Sequence, residues 1–103
     1  MIRHTVVFTL RHAVGSLKEK SFLRDAEILA QIPGVEKFER LQQVSGKNKY
    51  RFGFSMEFKD QEAYDAYNAH PIHVSFVKER WTREVDDFLE IDYVPVEPKW
   101  LMP

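Results

Sequence analysis

The fold is decided by the stretch from Tyr50 to Lys59, which reads YRFGFSMEFK. Large apolar side chains, most of them aromatic, occupy every second position, and small or charged side chains occupy the positions between them. Successive side chains of a β-strand point to opposite faces of a sheet. The alternation therefore predicts a strand with one aromatic face and one face of small and charged residues.

On the C-terminal side of this strand, the sequence predicts two helices and a final strand. Asp60 caps a helix over about residues 61–69. His70-Pro71 interrupts this helix, because proline disfavours α geometry in the residue before it. Proline suits the first position of a helix, so a new helix runs from residue 71 to about residue 85. Residues 87–95 follow as the last strand.

On the N-terminal side, the pattern predicts a strand, a helix and a second strand. Residues 2–11 alternate between apolar and polar side chains, as in a strand with one apolar face. Ser16 and Glu19 have the spacing of a capping box and open a helix, which Pro33-Gly34 ends. Residues 35–44 form a second strand, although charged side chains interrupt its apolar positions.

These elements follow one another in the order β-α-β-β-α-β, with the second helical stretch in two parts. That order is typical of α+β proteins with the ferredoxin-like plan, in which a four-stranded antiparallel sheet carries helices on one face. The other face of such a sheet is uncovered, and a second copy of the same sheet would bury it. We therefore expect one domain over residues 1–95, a tail over residues 96–103, and a homodimer formed through the sheet face.

The charge and composition of the 103 residues argue against several classes of function. Fifteen Lys and Arg residues are balanced by sixteen Asp and Glu residues, so no basic excess exists to neutralise the phosphates of a nucleic acid. The absence of cysteine rules out thiolate nucleophiles and disulfides. No apolar run reaches the length of a membrane span, and Arg11 ends the first apolar stretch too early for a signal peptide. We expect a cytoplasmic protein that binds neither nucleic acids nor membranes.

Two motifs in this framework resemble those of a known family. The first is the opening sequence MIRHTVVF over residues 1–8, and the second is YNAHPIHV over residues 67–74. Trp81 and the closing FLEIDY over residues 88–93 are similar to the last helix and strand of the same family. Over about residues 1–95, the chain resembles the stress-responsive α/β-barrel (Dabb) family.

The resemblance implies a ferredoxin-like protomer whose sheet packs against that of a second protomer in a dimeric α/β barrel. Most members have no assigned activity, but one plant branch is a polyketide cyclase that performs an aldol condensation without a cofactor. Its pocket, between sheet and helices, uses two histidines and a tyrosine, which correspond by motif position to His4, His73 and Tyr67. The branch has a further tyrosine where this chain has Asp25, which argues against transfer of the cyclase substrate.

Each of the three residues has a structural interpretation beside the chemical one. His4, on the apolar face of the first strand, either hydrogen-bonds a neighbour on the last helix or strand or lines a cavity. His73 lies in the first turn of a helix, where the helix dipole would keep it neutral as a general base, or it packs against Tyr67. The Tyr67 hydroxyl would stabilise an enolate oxygen, or Tyr67 is a core aromatic only.

A metal site is the less favoured use of the histidines. His70 and His73, with Asp92 or Glu90, would supply ligands, but a proline separates the two histidines and no HExxH motif is present. We expect no metal and no cofactor. His70 is expected to cap the junction of the two helices, and His12 is expected to be exposed.

Two functions fit the sequence. In the first, a cavity of at least ~300 Å³ between sheet and helices binds a small apolar carbonyl compound. His73 then acts as the base, His4 as a positioning partner and Tyr67 as the oxyanion donor. In the second, the protein is a non-catalytic, stable homodimer with a stress or scaffolding role, and core side chains fill that space.

The tail contains an apolar cluster, which is unusual at a chain end. Trp100, Leu101 and Met102 would form an adhesive patch if they were all exposed. We therefore expect them to dock, either on the neighbouring subunit or over the mouth of the cavity.

Overall fold

Four strands form one antiparallel sheet in this computed structural model, which describes all 103 residues. The strands are β1 (Ile2–Leu10), β2 (Glu36–Gln42), β3 (Phe52–Phe58) and β4 (Val85–Tyr93). Their spatial order is β2-β3-β1-β4, so that β1 and β3 are central and β2 and β4 are the edges.

The helices pack on one face of this sheet. They are α1 (Leu17–Asp25), which continues as a 3₁₀ helix over Ala26–Gln31, then α2 (Gln61–Ala69) and α3 (Pro71–Phe76). A π-helical turn over Val77–Trp81 and an α-helical turn over Thr82–Glu84 extend α3 to the start of β4. None of the helices combines the length and the apolar character that crossing a membrane requires. The architecture confirms the predicted α+β, ferredoxin-like fold.

The strand register decides which side chains face the helices. Where β1 pairs with β3, Ile2 lies opposite Phe58 and Phe8 lies opposite Phe52. The aromatic side of the stretch over residues 50–59 is therefore the helix-facing side. The sheet contributes to the core Ile2, Val6, Phe8, Phe52, Phe54, Met56, Phe58 and Val85, and the helical segments contribute Phe22, Ala26, Leu29, Tyr64, Tyr67 and Phe76.

The opposite face of the sheet is uncovered. Its centre is formed by small and β-branched residues, since the register places Thr5 beside Ser55 and Val7 beside Gly53. Larger apolar side chains remain exposed on the edge strands of this face, namely Leu41, Leu89, Ile91 and Tyr93. We refer to these eight residues as the open sheet face.

Local signals in the sequence place the helix starts correctly. Ser16 accepts a hydrogen bond from the backbone N–H of Glu19 at 3.2 Å, and the Glu19 carboxylate accepts one from the N–H of Gly15 at 3.0 Å. His70 Nδ1 accepts a hydrogen bond from the backbone N–H of Ile72 at 3.1 Å. His70 is therefore the cap of α3, as predicted.

Two details differ from the expectations. The last strand begins earlier than predicted, because Val85 pairs with Leu10 of β1 and does not continue the helix. His12 is not exposed, since its Nε2 lies 2.7 Å from the Glu84 carboxylate and each of the two side chains is only 16% exposed. The cause is the continuation of the β1–β4 pairing, in which the Arg11 N–H donates to the Glu84 carbonyl and carries His12 to the end of the helix.

The tail is not buried against its own protomer. It contains a 3₁₀ turn over Pro98–Leu101, and Trp100, Leu101 and Met102 are 70%, 76% and 73% exposed. The expectation that these side chains cover the mouth of the cavity is therefore wrong. Proline cannot donate to a sheet ladder, so Pro95 and Pro98 end the pairing that would have held the chain against the sheet. Docking on a neighbouring subunit stays a prediction.

Candidate functional site

A cavity of about 350 Å³ lies between the helices and the helix-facing side of the sheet. Nine of its thirteen lining residues are hydrophobic. The lining comes from both central strands, from β4, from the 3₁₀ helix after α1, and from the helical stretch between Gln61 and Glu84. The π-helical turn contributes directly, because Val77 and Trp81 at its two ends both line the cavity. Such turns widen a helix locally and are frequent at functional sites. The volume lies in the range of small-molecule sites, roughly 300–1,000 Å³.

His4, Tyr67 and His73 all line this cavity. The ring centroids of His4 and Tyr67 are 6.2 Å apart, and those of Tyr67 and His73 are 4.5 Å apart. His4 comes from β1, Tyr67 from the last turn of α2 and His73 from the first turn of α3. The structure therefore brings the three residues together, and the break at His70-Pro71 is what folds His73 back onto Tyr67.

His4 is held by two partners that share its Nδ1. The ring is buried, and Nδ1 lies 2.6 Å from a carboxylate oxygen of Asp92, which stands opposite His4 on β4. The Tyr64 hydroxyl donates to the other Asp92 oxygen at 2.8 Å and lies 2.9 Å from Nδ1. An ionised carboxylate only accepts, so Nδ1 carries the proton and Nε2 is left as an acceptor. Nε2 makes no hydrogen bond within the protein, yet it is not sealed from the cavity.

His73 is oriented in the same way by the backbone. Its Nδ1 donates to the carbonyl oxygen of Asn68 at 3.1 Å, which leaves Nε2 with a free lone pair. Burial in the cavity wall lowers the pKa of His73, and the nearby His4 lowers it further, while the Asn68 carbonyl and the Glu90 carboxylate act in the opposite direction. The direction agrees with the expected neutral imidazole, but desolvation is the main cause.

Tyr67 presents an unpaired hydroxyl to the cavity. The side chain is almost fully buried, and its oxygen has no hydrogen-bond partner in the protein while remaining accessible from the cavity. Burial raises the pKa of Tyr67 well above its usual value, and the negative charge of Glu90 adds to the effect. The hydroxyl therefore stays protonated at neutral pH and is a hydrogen-bond donor.

The arrangement supplies two acceptors and one donor to an otherwise apolar space. The acceptors are Nε2 of His4 and Nε2 of His73, and the donor is the hydroxyl of Tyr67. None of the three is sealed from solvent, so water or a bound molecule can complete the hydrogen bonding of each. A neutral histidine beside a tyrosine hydroxyl can move a proton and stabilise the oxygen on which charge develops.

Sequence reasoning missed the residues that hold and surround His4. The sequence predicts a bond from His4 to the last helix or strand, which Asp92 confirms, but it does not name the partner. It predicts Tyr64 only as a residue of the helix over about residues 61–69, and it offers Asp92 and Glu90 only as possible metal ligands. The signal that would have placed them is the period of two in Phe88, Glu90 and Asp92, which puts these residues on the helix-facing side of β4. Pairing of β4 with β1 then brings Asp92 opposite His4.

The other candidate residues lie outside the cavity. Asp25 accepts a hydrogen bond from Arg80 at 2.6 Å, and this bond is the main cause of the lowered pKa of Asp25. It does not line the cavity. His70 is occupied by capping α3, and no group of three or more side chains is arranged to hold a metal ion.

Comparisons with known proteins give the family of this structure. A family model described as the stress responsive A/B barrel domain (Dabb) matches residues 2–95. A Dabb family protein with a ferredoxin-like fold from Mesorhizobium loti is 64% identical, with a TM-score of 0.93, and the match covers 93% of this chain and 97% of that one. No curated protein matches the chain in sequence.

More distant structures share the same fold. A protein of Arabidopsis thaliana is 27% identical with a TM-score of 0.79, and the match covers 94% of this chain and 97% of that one. A dimeric ferredoxin-like protein of unknown function from Thermobifida fusca is 18% identical with a TM-score of 0.76, covering 91% of this chain and 90% of that one. Several such neighbours are described as dimeric. With the family match over residues 2–95, the chain belongs to the stress-responsive A/B barrel domain (Dabb) family.

Proposed function

We propose that the protein binds a small apolar carbonyl compound in the cavity and catalyses cofactor-free proton transfer beside the carbonyl group, in reactions of the aldol or cyclase type. The observation that supports this proposal is the meeting of His4 Nε2, His73 Nε2 and the Tyr67 hydroxyl, none with a protein partner, on one apolar cavity. Apolar walls with a few convergent polar groups are the usual composition of small-molecule sites.

In the proposed reaction, His73 is the base. Its Nε2 takes a proton from the carbon next to the carbonyl group, and the electron pair of the broken C–H bond moves onto the carbonyl oxygen to form an enolate. The Tyr67 hydroxyl donates a hydrogen bond to that oxygen, which gains charge in the transition state. His4 Nε2 accepts a hydrogen bond from a hydroxyl group of the ligand and positions it. The enolate carbon then attacks a second carbonyl carbon of the same molecule, and the π electrons of that C=O bond move onto its oxygen. Protonated His73 returns the proton to this oxygen, which leaves a hydroxyl group on the product and the neutral base.

Hydrogen–deuterium exchange tests the proton-transfer step directly. With phenylacetone in D₂O, followed by NMR, we expect the protein to accelerate exchange at the carbons next to the carbonyl group. His73→Gln should reduce this acceleration by about 10²-fold or more, the usual contribution of a positioned base. Because the pKa of His73 is lowered, the neutral form persists and the rate should stay constant as pH falls through the ordinary histidine range, then decline at lower pH.

The matched control for this experiment is His12→Gln. His12 is also a partly buried histidine, but its partner is Glu84 and it lies outside the cavity. This variant should retain the exchange rate of the parent. Exchange no faster than in buffer, or an equal loss in the two variants, would contradict the catalytic proposal.

The alternative function is a non-catalytic homodimer with a stress or scaffolding role, acting in the cytoplasm. The hydrogen bonds of His4 to Asp92 support a structural role for that histidine. The open sheet face supports a homodimer in either case, because its exposed apolar side chains would be buried against a second copy. Ligand binding without proton exchange would favour a binding protein, and neither binding nor exchange would favour this alternative.

A further inference from the structure

One lining residue of the cavity carries a charge that the protein does not balance. Glu90 lies on β4 opposite Val6, two residues before Asp92, and shares the helix-facing side of the sheet with them. It lines the cavity while remaining solvent-exposed, which places its carboxylate at the mouth. A residue in this position meets whatever part of a ligand projects toward solvent.

The carboxylate of Glu90 has no partner in the protein. It takes part in no side-chain hydrogen bond and no ion pair, whereas the neighbouring Asp92 is bound by both His4 and Tyr64. No lysine or arginine is among the residues that line the cavity. The negative charge of Glu90 also acts on groups inside the cavity, since it contributes to the raised pKa of Tyr67. The cavity is therefore electronegative at its mouth.

Aromatic rings stand beside this charge. Phe88 precedes Glu90 by two residues on the same side of β4, and its ring lies 5.5 Å from that of Trp81 in an edge-to-face arrangement. Both rings line the cavity. The faces of aromatic rings attract cations, and tryptophan does so most strongly. A carboxylate next to two such rings is the combination that recognises a positively charged nitrogen on an apolar molecule.

We infer that the ligand of the cavity has an apolar body and a positively charged nitrogen, and that Glu90 binds this nitrogen at the mouth. The inference rests on the proposed use of the cavity as a small-molecule site and names the chemical class of its ligand. The apolar body occupies the interior, with its polar centre at His4, Tyr67 and His73. Molecules that carry a carboxylate at the same end are disfavoured by repulsion from Glu90.

Three probes of similar shape distinguish the effect of ligand charge on affinity from the effect of apolar burial. They are 4-phenylbutylamine, 4-phenylbutanol and 4-phenylbutyrate, titrated into the full chain at pH 7 by calorimetry. We expect the amine to bind about two- to fivefold more tightly than the alcohol, the effect of a partly exposed ion pair, and the carboxylate to bind more weakly than the alcohol. The preference for the amine should decrease with added salt, because salt screens exposed charges.

Variants of Glu90 assign the effect to this residue. In Glu90→Gln most of the preference for the amine should be lost, with the affinity for the alcohol unchanged and only the contribution of the aromatic rings remaining. Glu90→Lys should reverse the order so that the carboxylate binds better than the amine. Asp86→Asn is the control, because it removes the same charge from an exposed position of β4 that does not line the cavity. It should keep the preference of the parent.

The outcomes distinguish this inference from the function on which it rests. Equal binding of the three probes by the parent, or an amine preference that is undiminished in Glu90→Gln, overturns the assignment of Glu90 while the cavity stands as a binding site. No measurable binding of any probe overturns this inference, whereas the proposed function is overturned by the absence of accelerated exchange with phenylacetone.

Discussion

At the scale of residues, the site depends on hydrogen bonds that leave one nitrogen of each histidine free. Asp92 occupies Nδ1 of His4, and the carbonyl of Asn68 occupies Nδ1 of His73. Each partner selects one tautomer and turns the other nitrogen into an acceptor. The same histidines without these partners would exchange between tautomers and rotamers, so the partners are as important to the proposed chemistry as the histidines.

Tyr64 is expected to stabilise this arrangement measurably. Tyr64→Phe removes the hydroxyl that donates to Asp92 at 2.8 Å and leaves the ring packed against Phe58. We expect a loss of about 1 kcal/mol in the free energy of unfolding, the usual value of one hydrogen bond. For a domain of this size, that loss lowers the melting temperature by about 4–8 °C. Thermal unfolding followed by circular dichroism measures it.

Tyr50→Phe provides the comparison for Tyr64→Phe. The hydroxyl of Tyr50 makes no hydrogen bond, and the residue lies outside the cavity. Its removal should leave the melting temperature within about 2 °C of the parent, as for other substitutions away from structural features. Equal melting temperatures for the two variants would show that the Tyr64 hydroxyl contributes nothing to stability.

At the scale of elements, the site is formed where the helical stretch between the third and fourth strands is interrupted. The His70-Pro71 break separates α2 from α3, and the π-helical turn over Val77–Trp81 interrupts the helix again one turn later. Without the first break, Tyr67 and His73 would lie six residues apart on one continuous helix, on largely different sides of it. The break instead places their rings in contact on the cavity wall.

The side chains of the tail are exposed on a single protomer, so deletion of the tail tests whether it acts in assembly. Because Trp100 is 70% exposed, a chain ending at Val96 should melt like the parent when both are dilute enough to be monomeric. If the tail docks on a second protomer, the truncated chain should dimerise at least about 30-fold more weakly, since burial of each tryptophan contributes about 2–3 kcal/mol. Sedimentation equilibrium over a range of concentrations measures the dissociation constant. An unchanged constant would show that the tail takes no part in assembly.

At the scale of the whole molecule, helices cover one face of the sheet and leave the other face exposed. Helices cover the aromatic side, while the open sheet face leaves Leu41, Leu89, Ile91 and Tyr93 exposed on its edge strands. Its centre is shallow because Gly53 lacks a side chain and the side chains of Thr5, Val7 and Ser55 are short. A flat surface with raised apolar edges is suited to packing against a second sheet.

We expect the parent to sediment at micromolar concentration with a mass near twice 12.2 kDa. Leu89→Lys should weaken the dimer at least about tenfold, because it buries an unpaired charge in the interface. Leu17→Lys is the control, since Leu17 is 82% exposed at the start of α1 and belongs to the helical layer. A monomeric parent, or equal effects of the two substitutions, would contradict the dimer through the open sheet face.

The order of elements and the two unlike faces of the sheet could be predicted from the sequence pattern, and the family resemblance pointed to three residues that line the cavity. The alternation of residues 50–59 predicts two unlike faces correctly, because a period of two leaves only two faces, and the structure assigns the aromatic one to the helices. The capping roles of Ser16 and His70 were also predictable, because a cap bonds to residues two or three positions away. Such local signals do not depend on the rest of the fold.

Only the tertiary structure decided what each of these residues contacts. The bonds of His4 to Tyr64 and Asp92 join positions 60 and 88 residues apart, and no pattern within one element specifies them. The pairing register of β1 with β4 decides that Asp92, and not Glu90, reaches His4, and so leaves Glu90 unpaired at the mouth of the cavity. Register and helix packing arise from contacts among distant segments, which is why the free polar groups of the site could be located only in the folded chain.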